Sequence, residues 1–147
     1  MFSNILVALD GSEISQRALI EAVDQAKVWN AKIHAIYVME TPRFALDPMN
    51  QTIGMDNTTE MYWLLEKQGE EVLIRAEKYG ADKGITIITH LKQGDAGVEI
   101  LSLSEQVTCD LIVVASHSKS NIDRLLLGSV SSFVVTHNKV KTLVVRG

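Results

Sequence analysis

Short apolar runs alternate with amphipathic segments along this chain. Runs rich in Val, Ile and Leu predict largely buried β-strands, and they cover residues 4–9, 31–39, 85–91, 111–114 and 141–145. Between these runs, apolar residues recur at every third or fourth position, which is typical of helices with one buried face. The helices predicted in this way cover residues 15–29, 59–83, 95–107 and 129–137.

The strict alternation of strands and helices predicts the fold class. Each crossover helix needs a sheet face to cover its apolar stripe, so we expect one domain over residues 1–147, with an open five-stranded parallel α/β sheet and helices on both faces. In the strand order 3-2-1-4-5, the winding reverses between strands 1 and 4, and ligands of such sheets bind beyond the carboxyl ends of the strands at that point. Asp10 and Ala115, which end these two strands, are therefore expected to be neighbours.

Residues 40–59 lack any clear period and contain both prolines, Pro42 and Pro48. We expect a long connection without secondary structure, acting as a lid, an oligomer contact or a mobile surface excursion. The helix after it is expected to turn Leu64, Leu65 and Val72 towards the core. The sequence does not indicate a role for the connection.

The strand at 111–114 leads into a loop of small polar residues at 115–121. Gly128 and Ser129 follow at the predicted start of the last helix. Backbone N–H groups and the positive end of a helix dipole favour an anion such as phosphate in this arrangement.

Composition narrows the class of partners and the compartment. The 147 residues are 46% hydrophobic and 22% charged, as in ordinary soluble proteins. A net charge of −4 and a pI near 5.5 offer no electrostatic reason to expect a nucleic-acid partner. The single cysteine, Cys109, fits a reducing compartment. No apolar run approaches the roughly 20 residues of a membrane span, and the N-terminus enters a strand pattern at once, so we expect a cytoplasmic protein without membrane insertion.

Several motifs together resemble the universal stress protein family over the full chain. They are VALDGS at 7–12, Tyr37-Val38, the turn at Gly94, ASHSKSNIDRLLLGSVSSFVVTH at 115–137 and the final TLVV. The nucleotide-binding branch of that family carries G-x-x-G, nine residues and then G-[ST]. This chain has A-x-x-S, nine residues and then G-S, so the spacing is kept while two of the three glycines are replaced.

The resemblance implies a regulatory stress-response module that binds an adenine nucleotide, namely ATP, alone or with Mg²⁺. It also implies a homodimer that pairs through the last strand, Lys141 to Val145, and an unidentified protein partner. The residues implied to lie against adenine and ribose are Ala8, Leu9, Asp10, Val38, Val114 and Ala115. Those implied to line the phosphates are Ser118, Gly128, Ser129 and Ser131.

The two replaced glycines set a condition on this prediction. Ala115 and Ser118 each add a Cβ where a backbone would approach the ligand. A positive φ costs a non-glycine residue roughly 1–2 kcal/mol, so a position that requires it would lose affinity or loop shape. At ordinary dihedral angles the replacements are mild.

Other interpretations of these residues stay open. Asp10 also suits a turn cap before the first helix. Lys119 and Arg124 suit either cations that neutralise phosphates or solvated loop cations. His117, near the cleft, is expected to face solvent, and the other histidines show no metal-ligand spacing with it. Neither a Walker A lysine nor a Ser-His-Asp order is present, so no catalytic constellation is predicted.

Two alternative functions follow. The first is a dimer that has lost nucleotide binding and acts through protein contacts. The second is an enzyme that hydrolyses ATP or transfers its phosphate.

Overall fold

The computed structural model describes residues 1–40, 51–117 and 127–147, and for residues 51–58 it describes the backbone alone. The strands are β1 (Asn4–Leu9), β2 (Lys32–Met39), β3 (Ile87–Gln93), β4 (Leu111–Ser116) and β5 (Lys141–Arg146). The helices are α1 (Glu13–Trp29), α2 (Gln51–Asp82), α3 (Ala96–Gln106) and α4 (Ser129–His137). The strands form one parallel sheet in the order β3-β2-β1-β4-β5, which confirms the predicted fold class.

Local signals in the sequence account for the start and end of α1. Gly11 takes a positive φ of 83° in the turn after β1, a conformation that favours glycine. The Ser12 hydroxyl then accepts a hydrogen bond from the Ser15 N–H at 3.1 Å and caps the helix. Asn30 ends it in the left-handed conformation.

Two hydrophobic layers enclose the sheet. On one face, α1 and α2 cover a layer that contains Ile5, Val7 and Ile33. On the other face, α3 and α4 cover a layer that contains Leu6, Ile36 and Ile112. Successive residues of β1 therefore point into opposite layers, which explains why its sequence has no polar face.

The prediction for residues 40–59 is wrong in its second half, because α2 already begins at Gln51. Residues 41–50 lie outside the described residues. A hydrophobic period marks only those helical turns that pack against a sheet, whereas helix formation itself needs no such period. The last proline, Pro48, precedes the helix and does not interrupt it.

The predicted inward position of Leu64 is also wrong, since its side chain is 60% exposed. The buried face of α2 is defined by Val72, Leu73 and Ala76. Leu64 lies nine positions before Leu73, which places the two on opposite sides of a helix with about 3.6 residues per turn. Leu65 lies seven positions before Val72 and shares its face.

β3 begins at Ile87, two residues later than predicted. The Ile85 N–H donates to the Gly80 carbonyl at 2.8 Å, which ties Ile85 to the end of α2. A backbone group used in this way is not available to a strand ladder.

No helix in the described parts of the chain has the length and hydrophobicity needed to cross a membrane.

Candidate functional site

A cleft opens where β1 and β4 diverge. Their ladder pairs Ile5 with Leu111 and ends at Val7 with Val113, although both strands continue beyond these residues. Ala8 and Val114 are thus the first positions at which the two strands are no longer paired. The opening lies at the carboxyl ends of the strands, at the reversal of winding that the strand order predicts.

The cleft forms a cavity of about 370 Å³, within the range of roughly 300–1,000 Å³ that small-molecule pockets occupy. Its walls are mainly aliphatic, with a few polar groups from Asp10, Ser15, Glu40 and His117. The apolar residues that line it are Ala8, Leu9, Ile36, Val38, Leu65, Ala96, Ile100, Val114, Ala115 and Val130. A mostly apolar cavity with few polar groups is typical of a site that binds an aromatic ring and orients it.

All the residues that the resemblance assigns to adenine and ribose line this cavity. They are Ala8, Leu9, Asp10, Val38, Val114 and Ala115. They come from the carboxyl ends of β1, β2 and β4, which adjoin one another in the sheet.

Ala115 lies within β4 and is absent from the non-glycine residues with positive φ, which among the described residues are Asn30 and Thr108. Ala115 therefore has ordinary dihedral angles, which is the case in which the replacement of glycine is mild. The replacement adds a methyl group without backbone strain.

The carboxylate of Asp10 is held by neighbours on both oxygens. Its Oδ1 accepts a hydrogen bond from the Ser12 N–H at 2.9 Å, and its Oδ2 lies 2.8 Å from the Nε2 of His117. The Asp10 N–H donates to the Ser15 hydroxyl at 3.3 Å. Burial opposes ionisation of Asp10, but the hydrogen bonds from Ser12, His117 and Ser15 outweigh it and lower the pKa of the carboxyl. The cleft thus presents a carboxylate at neutral pH.

His117 is exposed to solvent as expected, but its contact with Asp10 was not expected. Its side chain is 43% exposed, yet the ring is fixed by its contact with Asp10, 107 residues away in sequence. The residue follows β4 directly, so the divergence of β4 from β1 brings the imidazole across the mouth of the cleft. This pairing depends on the splay of two strands, and no local pattern in the sequence indicates it.

The amino end of α4 lies beside the cavity, and its residue Val130 contributes to the lining. The N-cap position is Gly128, and no side chain caps the helix there. The Gly128 N–H donates to the Ser116 hydroxyl at 2.8 Å, which fixes the helix start against the end of β4. The first turn of α4 therefore has the uncapped backbone N–H groups that favour an anion.

Neither backbone conformation nor packing requires a glycine at Gly128. Its φ of −63° and ψ of 162° suit any residue. A Cβ built there would have its nearest contact 3.4 Å away, at the His117 backbone nitrogen. A Cβ there would make ordinary van der Waals contacts with the His117 backbone and the Ser131 hydroxyl, so a larger side chain at this position would occupy the surface beside the helix start.

The remaining residues assigned to phosphate differ in their position. Ser129 begins α4 and is exposed. Ser131 is fully buried, and its hydroxyl donates to the Gly128 carbonyl at 3.0 Å. Ser118 lies outside the described residues, as do Lys119 and Arg124.

Several lining residues were not predicted as site residues. Ile36 could have been found, since it lies two residues before Val38 on the same face of β2. Glu40 directly follows β2 at the same edge of the sheet. Leu65 and Ala96 come from helices whose approach to the cleft is set by tertiary packing alone.

Within residues 1–40, 51–117 and 127–147, no three His, Cys, Asp or Glu side chains come together as a metal site would require.

Sequence comparison relates the whole chain to known proteins. The sequence profile of the universal stress protein family matches residues 1–146. Universal stress protein YxiE of Bacillus subtilis is 32% identical over 151 residues, covering 99% of this chain and 100% of its own. Universal stress protein MJ0531 of Methanocaldococcus jannaschii is 30% identical over 146 residues, covering 99% of this chain and 83% of its own.

Solved structures share the fold. The hypothetical protein MJ0577 superimposes with a TM-score of 0.83 at 22% identity, covering 100% of this chain and 97% of its own. A universal stress protein in complex with cAMP superimposes with a TM-score of 0.69 at 26% identity, covering 99% of this chain and 97% of its own. The family profile, the curated relatives and the fold agree, and the chain belongs to the universal stress protein family.

Proposed function

We propose that this protein is a single-domain regulatory module of the stress response that binds an adenine nucleotide in the cleft between β1 and β4. The observation that carries the proposal is the position of this largely apolar cavity between the Asp10 carboxylate and the uncapped start of α4. A nucleotide needs these three features, namely an apolar slot for the base, an acceptor for ribose hydroxyls and donors for phosphate. A related protein with 26% identity is known in complex with cAMP.

The aliphatic walls support the assignment of the base. Val38 and Val114 face the same cavity from strands on either side of β1. An adenine ring between such side chains buries apolar surface worth about 25 cal/mol per Å². We therefore assign Ala8, Leu9, Val38, Val114 and Ala115 to the base and the adjoining part of the ribose.

The polar end supports the assignment of ribose and phosphate. The lowered pKa of Asp10 keeps its carboxylate ionised. An ionised carboxylate can accept hydrogen bonds from the ribose hydroxyls. Ser129 brings an N–H group and a hydroxyl to the phosphate, and Gly128, whose own N–H is held by the Ser116 hydroxyl, leaves the helix start without a side chain. We assign Ser131 an indirect role, since its buried hydroxyl holds the Gly128 carbonyl. Ser118 stays a prediction.

ATP, alone or with Mg²⁺, is the nucleotide that we propose, with function in the cytoplasm and in a homodimer. The supports are the motif spacing for ATP and the position of β5 at the edge of the sheet for the dimer. An exposed strand edge is generally covered in proteins.

Calorimetric titration with ATP, with and without Mg²⁺, tests the proposal. We expect saturable binding at one site per chain. Replacing Gly128 with Leu fills the space beside the helix start and should weaken binding about tenfold or more, equivalent to about 1.4 kcal/mol. Thr136→Leu is the matched control, because Thr136 is an exposed position near the other end of α4.

The outcomes separate the alternatives. Absence of binding by the parent protein would favour the dimer that acts through protein contacts. Equal binding by Gly128→Leu and the parent would refute the phosphate assignment. Release of inorganic phosphate well above background, abolished in Gly128→Leu and retained in Thr136→Leu, would favour the enzyme.

A further inference from the structure

His117 joins the two polar parts of the cleft. Its Nε2 lies 2.8 Å from Oδ2 of Asp10, at the end of β1. Its backbone nitrogen would lie 3.4 Å from a Cβ placed on Gly128, at the start of α4. The imidazole therefore contacts the carboxylate assigned to ribose, the backbone of the same residue lies beside the helix start assigned to phosphate, and His117 lines the cavity.

The charged groups around the cleft are mainly acidic at its lining, which makes a histidine there the source of a possible positive charge. The described residues that line the cavity include two carboxylates, Asp10 and Glu40, and neither Lys nor Arg. Outside the lining, the described charged groups near this end of the sheet include Glu13 on α1 and Arg75 on α2, which line a neighbouring pocket with Leu9 and Gly11. Lys92 of β3 lies opposite Val38, and Arg146 of β5 lies opposite Ser116. Asp95 and Glu99 lie at the start of α3, next to the lining residue Ala96. His117 is thus the lining residue, within the described chain, that can gain a positive charge.

Protonation of the imidazole changes the charge of its pair with Asp10. With a neutral ring the pair carries a net charge of −1, and with an imidazolium it carries none. Histidine changes charge between about pH 5 and 8. An anionic ligand beside the pair meets repulsion from a carboxylate in the first state and little net charge in the second.

We propose that His117 is a specificity-determining residue, whose protonation shifts the preference of the cleft towards phosphorylated over unphosphorylated adenosine ligands as the pH falls. This inference rests on the proposed function. It adds to that function one residue of the described lining, whose protonation changes the relative affinity for the two kinds of ligand. The imidazole acts on the ligand through its charge while it holds the Asp10 carboxylate in place.

The test compares adenosine with cAMP by calorimetry at pH values between about 5.5 and 8. Both ligands contain the adenine ring and a free ribose 2′-hydroxyl. Adenosine is neutral and the phosphodiester of cAMP is a monoanion throughout this range, so a pH dependence of their relative affinity reports on the protein. AMP is less suitable, because its phosphate loses a second proton near pH 6.

For the parent protein, we expect the ratio of the adenosine to the cAMP dissociation constant to increase about tenfold from pH 8 to pH 5.5. This size corresponds to two unit charges about 6 Å apart at an effective dielectric constant of about 40. In His117→Gln, which keeps a polar side chain but does not titrate, the ratio should not vary with pH. His117→Asn is a second variant in case the first does not fold, and circular dichroism checks both.

The outcomes distinguish this inference from the proposed function. A ratio that is independent of pH in the parent protein refutes the inference alone. A ratio that varies equally in the parent and in the variants assigns the effect to another group and also refutes it. Absence of binding by both ligands at every pH refutes the inference, and the separate titration with ATP decides the proposed function.

Discussion

Two histidines on neighbouring strands share a hydrogen bond in the sheet. Nδ1 of His34 on β2 lies 2.9 Å from Nε2 of His90 on β3, and the two rings are tilted against each other with centroids 5.2 Å apart. Burial, reinforced by the charge of Lys32, lowers the pKa of His34. Burial, with the charges of His34 and Lys92, lowers the pKa of His90. The folded protein therefore favours the neutral form of both rings.

This pair should make the protein sensitive to mild acid. Below the ordinary histidine pKa of about 6.5, the unfolded chain binds protons that the folded chain resists. The free energy of unfolding should therefore fall as the pH decreases from about 7 and level off below the lowered pKa values of the folded state. In His90→Gln, which keeps a hydrogen-bonding side chain, this fall should be smaller.

Urea unfolding at a series of pH values between about 5 and 8 measures the effect, and His34→Gln provides an independent second variant. A parent protein whose stability is constant over this range would contradict the prediction. Equal slopes in the parent and in both variants would assign the acid sensitivity to other groups.

At the scale of one element, α3 ends in an arrangement that usually contains glycine. The Cys109 N–H donates to the Ser104 carbonyl at 3.0 Å, and the Thr108 N–H donates to the Glu105 carbonyl at 3.2 Å. These are the two bonds of a Schellman motif, whose left-handed position is generally occupied by glycine. Thr108 occupies it here with a φ of 53°. A β-branched residue in this conformation is strained.

Replacing Thr108 with Gly should stabilise the protein. The left-handed conformation costs an L-residue roughly 1–2 kcal/mol, and the greater freedom of glycine in the unfolded chain offsets about 0.4–1 kcal/mol of the gain. We expect a net increase of about 0.5–1 kcal/mol in the free energy of unfolding, measured by urea denaturation. Thr108→Ala is the control, because it removes the branched side chain but keeps a Cβ at positive φ. A gain as large in Ala as in Gly would show that the strain is not in the backbone.

The elements also show what local patterns predict well. The buried runs and helical periods located every strand and helix of the described residues, and Ser12 and Asp95 cap the starts of α1 and α3 with their side chains. The errors concern the start of α2 and its buried face, both of which depend on tertiary packing. The first turns of α2 have no clear apolar period to reveal them, and Leu64 lies on a face that packing leaves exposed.

At the scale of the whole molecule, the unpaired edge of the sheet at β5 offers a surface through which two chains can associate. β5 pairs with β4 on one side and is an edge strand on the other. Its residues 142–145 are only partly buried within the described chain. An apolar strand edge of this kind generally pairs with another chain or is protected by charges.

We predict that two copies of the chain associate through β5. Val144→Lys places a charge in the strand and should weaken the dimer about tenfold or more, an effect that analytical ultracentrifugation over a range of protein concentrations would measure. Val28→Lys is the matched control, since Val28 is 69% exposed on α1. A parent protein that sediments as a monomer at micromolar concentration would contradict the prediction, as would equal weakening by both variants.

The sequence by itself determined the order of elements, their approximate bounds, the parallel sheet and the family. The elements and the sheet follow from local signals, since apolar periods and capping residues act over a few neighbouring positions and the crossover rules then restrict the topology. The family follows from the resemblance of several motifs, such as VALDGS at 7–12. The expectation that Asp10 and Ala115 share a cleft follows from the same rules, and both line the cavity.

Only the tertiary structure decided the detailed geometry of the cleft. β1 and β4 separate after Val7 and Val113, and this splay brings His117 to Asp10. The ordinary dihedral angles of Ala115 and Gly128 likewise depend on how the end of β4 meets α4. Contacts between residues more than a hundred positions apart depend on strand register and divergence, which no local pattern encodes.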